Sequence, residues 1–546
     1  MEQTWVVAAI PTLIAVGGAI LLAALRPVMA MPLLIIGIAA HNLVLALLLA
    51  AGTPEPVVRV VQAWKDVIAV ILVLHLLRRG WAALAAGGPR GLLRRWSDQP
   101  ALVRTADLAI GGFALLLFVY LILPAGLLSV EPPPTLQQRI LGFRMLALLP
   151  LIYASSRLLM PSSAIRLWAI AVGGTAVVVA MLGIVELFFL PTSGWLNLGI
   201  HEFTALQGFS YRGPGGLPEN FFQSTTAGLG LRRMVSTYLS PLGIAYTGLL
   251  VVPMLVASAL AWPKAARRWW LAFLVVGISL ALSVTRLALL ILVAEAALLF
   301  LVWPSRRLAV ASGAATLLVV FALLIYPMLG PLVDFNLKDV RRPIGLVALE
   351  GVFLPSDVAV PPGGTRPPAT PPPTTPAPAE LVERMVDPAE PSIAGHLGAL
   401  ARGIPIVLRN PLGIGLGASV YRLGTGTGPE ESALLGIAGE MGLPALALFC
   451  VAYGSLVLAG LRSLRRRPGP GMVPAAVIGV GGIGLLPIML TSAIWGNLSV
   501  TYVFWSAAGL AVAAWQVGSN DRVEVAELRT ERPPMSEQAV SPPRPS

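Results

Sequence analysis

Six arginines and two adjacent glutamates are the residues of this 546-residue chain whose types and placement could do chemistry. Arg212, Arg232 and Arg233 stand in a stretch between apolar runs at 191–237, and Arg286 sits at a turn in "LALSVTRLALLILV". Arg409 and Arg422 lie in the longest polar stretch, 333–431. A guanidinium is a planar, permanently charged fork that bonds phosphate oxygens two at a time. Glu430 and Glu431 close the same stretch just before an apolar helix begins. A carboxylate there either complements the helix N-terminus electrostatically or accepts a proton from an attacking hydroxyl. The arginines suit an anion site, and the glutamates suit either a helix cap or catalysis. Three more carboxylates fall at membrane depth: Glu186, Glu295 and Glu440. Glu295, in the middle of an apolar run, suits a proton relay or a pairing with another helix.

Other chemistries find no footing. The histidines are His41, His75, His201 and His396, and none has a partner at ligand spacing such as HExxH. Structural or interfacial roles are expected for all four, with no metal and no cofactor. The single cysteine, Cys450, allows neither an intramolecular disulfide nor a thiolate metal site. There is no Walker loop and no GxGxxG segment ahead of a helix, so nucleotide-driven transport is not indicated.

The elements that must position these residues follow from composition. Hydrophobic residues make up 56% of the chain and charged ones 12%, with mean hydropathy +0.81. Soluble domains carry about 25% charged residues, so a soluble enzyme, a nucleic-acid binder and a disordered protein are excluded. Apolar runs occur near 4–25, 28–51, 62–78, 104–128, 138–157, 164–190, 238–262, 268–283, 286–303, 308–332, 432–461, 472–494 and 498–517. Each approaches the length of about 20 residues that crosses a bilayer as a helix. The expected fold is an all-α, polytopic transmembrane helical bundle of about 12–13 spans, with one large outer-side loop. The first run lacks a basic n-region and reads as a span rather than a signal peptide.

The net charge of +12 reports topology. Basic clusters at Arg78–Arg95, Lys264–Arg268, Arg306–Arg307 and Arg462–Arg467 mark cytoplasmic loops. With alternating spans, 191–237 and 333–431 fall outside, as does the N-terminus, and the C-terminal tail falls inside. Arginines on the outer side run against this rule, so each needs a reason. The expected divisions are N-terminal helices to 190, an outer loop 191–237, central helices 238–332, a large outer loop 333–431, C-terminal helices 432–517 and a disordered tail 518–546. Residues 361–380 form a proline-rich linker, while "SIAGHLGALARGIPIVLRNPLG" from Ser392 has helical spacing suited to the membrane surface.

Four segments, in order and spacing, resemble the O-antigen ligase and polymerase family of bacterial envelope glycosyltransferases. In "RRMVSTYLSPLGIAYTGLL" at 232–250, Arg233, Thr237, Tyr238 and Pro241 fall on the family pattern, with Ser240 where an asparagine is usual. In "LSVTRLALLILVAEAALLF" at 282–300, Thr285, Arg286 and Leu287 stand for the family's Ser-Arg-Gly turn. "RNPLGIGLGAS" at 409–419 is similar to its NPLxGxGxG segment, and "ESALLGIAGEMGLPALALF" at 431–449 to the block after its large periplasmic loop. Glu431 occupies the place of the family's histidine and Ser432 that of the following asparagine. The likeness covers roughly 230–460.

The resemblance implies a metal-independent glycosyltransferase in the bacterial inner membrane with its catalytic side outward. The donor would be a glycan on a polyprenyl diphosphate, and the acceptor a lipid, glycan or protein hydroxyl. Arg233 and Arg286 would hold the diphosphate with Arg232 beside them, and Glu431 would be the base. Arg212, Arg409, Arg422 and Glu430 would bind substrate. Trp195, Tyr211, Phe221 and Phe222 could stack on sugars. Two alternatives stay open: a polysaccharide or lipid transporter, drawing on Glu295 and the broken stretch "GVGGIGLLP" at 479–487, and a non-catalytic envelope-assembly protein.

Overall fold

The computed structural model describes residues 4–124, 127–128, 133–224, 229–341, 391–419, 431–465 and 469–530. Every apolar run folds as helix. In chain order these are α1 (Thr4–Leu25), α2 (Pro27–Ala50), the short α3 (Glu55–Gln62), α4 (Trp64–Ser97), α5 (Ala101–Ile122), α6 (Leu136–Leu159) and α7 (Ile165–Phe189). Two short helices follow, α8 (Gly194–Asn197) and α9 (Ile200–Leu206), then α10 (Pro241–Ala261), α11 (Ala266–Leu282) and α12 (Arg286–Val302). α13 (Arg306–Val320) continues through a π-turn into α14 (Tyr326–Leu329). After α15 (Pro391–Arg409) come α16 (Ala433–Leu464), α17 (Met472–Ala476), a π-turn at Val477–Gly481, α18 (Gly482–Thr491) and α19 (Leu498–Thr530).

Among the described residues, twelve helical stretches are long and apolar enough to cross a membrane. The remaining run, 286–303, forms α12, which is 17 residues long, at the short end of what spans hydrocarbon. The chain is therefore an all-α, multi-pass helical bundle. Burial separates its centre from its rim: the most apolar window of α10 is 89% buried and that of α1 only 11%.

Local signals set the helix ends. Thr135 and Gln138 form a reciprocal capping box at α6. Ser240 caps α10 ahead of Pro241, which needs no N–H donor in the first turn. Ser432 caps α16 through its bond from the Leu435 N–H. α16 kinks at Gly442 (φ 78°), just before Pro444. Arg144, which interrupts the run 138–157, does not break α6; its Nε lies 2.7 Å from Asp66 Oδ1 of α4.

The sequence reading has no strands. The structure has a small antiparallel sheet, β1 (Phe222–Ser224), β2 (Gly230–Arg232), β3 (Leu332–Val333) and β4 (Asp339–Arg341), in that spatial order. It ties the stretch after α9 to the chain leaving α14, at the end of the bundle opposite the basic clusters. Strands of two or three residues are too short to show a period of two, so no pattern announces them. At the other terminus, α19 runs to Thr530, into the stretch expected to be a disordered tail; residues 531–546 lie outside those described.

Candidate functional site

The site begins where β2 meets the turn between α11 and α12. The Arg233 guanidinium reaches across to that turn: Nε donates to the Ser283 carbonyl at 2.8 Å and Nη2 to Thr285 Oγ1 at 2.8 Å. Nη1 donates to the Asn220 carbonyl at 3.1 Å. Arg286 is the first residue of α12, immediately after Thr285. Arg233 and Arg286 are therefore brought to one turn from segments more than fifty positions apart in sequence. Their backbone surroundings are strained. Ser236 (φ 48°), Leu239 (φ 53°) and Val284 (φ 48°) are non-glycine residues in the left-handed region. Such conformations cost about 1–3 kcal/mol each and gather at functional sites.

α10 carries the link onward. Its Tyr246 hydroxyl lies within hydrogen-bonding reach of Ser492, and the charge of Arg233 reaches the same ring. The Ser492 carbonyl accepts from the Ala433 N–H at 3.0 Å, and Ser432 Oγ donates to the Met489 carbonyl at 3.1 Å. These bonds pin the start of α16, and with it Glu431, to the end of α18. Just before α10, Tyr238 is buried; burial pushes its hydroxyl above the ordinary tyrosine range, partly offset by Ser499 and Thr247, so it stays neutral.

At the start of α16 a histidine and a carboxylate meet. Glu431 Oε2 stands 2.8 Å from Nδ1 of His396, a residue of α15 distant by 35 positions. The two side chains are 48% and 45% exposed, so the pair faces open space rather than a sealed core. A carboxylate oxygen accepts, so Nδ1 is the donor of this contact; in a neutral ring Nε2 is then the acceptor. The sequence reading expected a structural or interfacial role for His396 and named no partner for it. Its only sequence signal was a histidine on an amphipathic helix close to the NPLG segment.

"RNPLGIGLGAS" proves to be a packing device. Gly413, Gly415 and Gly417 have φ of 81°, 109° and 85°. The loop lies on the kink of α16: the Ile414 N–H donates to the Gly439 carbonyl at 2.7 Å and the Leu443 N–H to Pro411 at 2.8 Å. Buried Glu440 accepts from the Ser419 N–H at 3.2 Å and from the Gly417 N–H. Since the loop continues directly from α15, this clamp sets where His396 stands.

The other expected residues sort differently. Arg232 is buried, 3.1 Å from Glu186 Oε1 and donating to the Leu190 carbonyl at 2.8 Å; its guanidinium faces the body of the bundle. Arg212 is exposed, its backbone N–H held by Glu219, and Arg409 ends α15 exposed; neither is joined to the chain of contacts above. Arg422 and Glu430 lie outside the described residues. Trp195, Phe221 and Phe222 are buried, the first two packed edge to face at 5.7 Å, and so cannot stack on a sugar as expected. Tyr211 stacks on Phe209 at 5.9 Å.

Among the described residues no three His, Cys, Asp or Glu side chains stand close enough to hold a metal ion. The structure thus holds two arginines at a strained turn and, at the start of α16, a half-exposed imidazole–carboxylate pair. Fold and site together define a multi-pass helical membrane protein with a polar site at one end of its bundle. In comparisons with known proteins, no family model matches the chain and no curated relative matches it.

Proposed function

We propose that the protein is a membrane glycosyltransferase of the O-antigen ligase kind, moving a glycan from a polyprenyl diphosphate to a hydroxyl acceptor. The observation that carries this reading is the His396–Glu431 pair at 2.8 Å. It sets an imidazole against the residue that stands where the resembling family has its histidine. The carboxylate holds the ring by Nδ1, and Nε2 takes the acceptor proton. The acceptor oxygen bonds to the anomeric carbon as the bond to the diphosphate oxygen breaks, and the electron pair leaves with the diphosphate. Arg233 and Arg286 offset the charge that grows there. The reaction belongs on the outer face of the bacterial inner membrane.

Transfer in reconstituted membranes with a polyprenyl-diphosphate glycan tests this. Wild type consumes the donor, whereas His396→Ala and Glu431→Gln are strongly impaired at unchanged protein level. Wild-type rates in both variants would end the assignment. A transporter reading draws on one observation, Glu295 inside the bundle, whose carboxyl oxygens have no hydrogen-bond partner among the described residues. It predicts that wild type moves the donor across the bilayer in the same vesicles with no bond cleaved.

A further inference from the structure

Glu295 lies in the middle of α12 and is 2% exposed. Among the described residues neither of its carboxyl oxygens has a hydrogen-bond partner. The surrounding packing is built to admit it. Gly484 of α18 faces it so closely that a Cβ there would collide with Oε1, and Ile291 of the same helix closes one side. The π-turn Val477–Gly481 runs directly into α18, and Gly482 accepts a bond from the Tyr453 hydroxyl at 2.5 Å. Tyr453 of α16 is a titratable neighbour of Glu295.

Among the described residues no cation answers it. α12 packs against α10, α11, α13, the π-turn and α18. α10 has only Tyr246 as a titratable group, and the π-turn and α18 have none. The charged residues of α11 and α13, Arg267, Arg268, Arg306 and Arg307, sit in their first turns at the far end. An ionised carboxylate without donor or counter-charge is strongly disfavoured at such a place. A bound proton removes that penalty. π-turns are points where a helix yields, and they gather at functional sites.

We propose that Glu295 is a proton-binding site inside the bundle whose occupancy closes the seam between α12 and α18. With the proton bound, the carboxyl is neutral and the seam stays packed on Gly484. Proton loss leaves a bare charge, which is relieved when α18 moves at its π-turn and admits water. This inference does not rest on the glycosyl-transfer reading and holds for a transporter as well.

Infrared spectroscopy of the full chain in lipid at pH 7 reads the proton directly. The expected result is a protonated-carboxyl C=O band that is lost in Glu295→Gln and in Glu295→Met; the second variant fills the same space with an apolar chain. Hydrogen exchange of peptides covering 477–491, corrected for the intrinsic rate at each pH, reads the seam. It should speed up at least tenfold with rising pH in wild type and stay flat in whichever variant folds. An unchanged C=O band in a folded variant would overturn the proposal, as would the same pH response in wild type and variant.

Discussion

At the residue scale, the pairing of His396 with Glu431 changes which side chain is the base. A half-exposed carboxylate is a poor proton acceptor by itself, but it holds an imidazole in one tautomer well. His396→Ala should lower transfer by about 10²–10⁴-fold, the usual worth of a positioned base. Glu431→Gln should cost less, because the amide oxygen can still accept the Nδ1 proton. Initial rates at saturating donor separate the two, and equal losses would mean that Glu431 does more than orient the ring. Arg232 carries a different prediction. Its buried bond to Glu186 makes it part of the framework. Arg232→Ala leaves an uncompensated carboxylate and should destabilise the protein by about 3–5 kcal/mol. Replacing both partners with methionine should restore most of that. Thermal unfolding in detergent measures both.

At the element scale, the glycine-rich loop between α15 and α16 is held on both sides. Gly417 has φ 85°, and a Cβ on it would strike the Gln138 carbonyl of α6. Gly417→Ala should therefore lose at least about 1–3 kcal/mol from the strained backbone alone. Because the loop sets α15, transfer should fall with it. Gly454→Ala in α16, where nothing lies within 4 Å, is the control and should be neutral or slightly stabilising. A melting temperature for Gly417→Ala equal to that of the control would show that the loop is looser than described.

At the scale of the whole molecule, the sheet and the candidate site share one end of the bundle and the basic clusters the other. The positive-inside rule then predicts the outer face for that end. A Cys450→Ser background makes this measurable, since Cys450 is the chain's single cysteine. Asn336→Cys, in the exposed turn before β4, should react with a membrane-impermeant thiol reagent on intact cells. Arg307→Cys, exposed at the other end, should react only after permeabilisation. The reverse result would invert the topology and remove a periplasmic donor from consideration.

The helices were legible in the sequence by itself, because in lipid a backbone must satisfy its own hydrogen bonds and an apolar run has little choice but helix. Arg233 and Arg286 could be singled out because arginine is costly on that side of a membrane. The serine caps and the glycine-rich loop could be found too, although the loop's task was not apparent. Tertiary structure alone decided the rest. Arg232 and Arg233 are neighbours in the chain, yet one turns into the bundle toward Glu186 and the other toward the α11–α12 turn. His396 and Glu431 meet from separate helices. Contacts of that kind depend on how helices pack against one another, and neither composition nor periodicity along the chain encodes them locally.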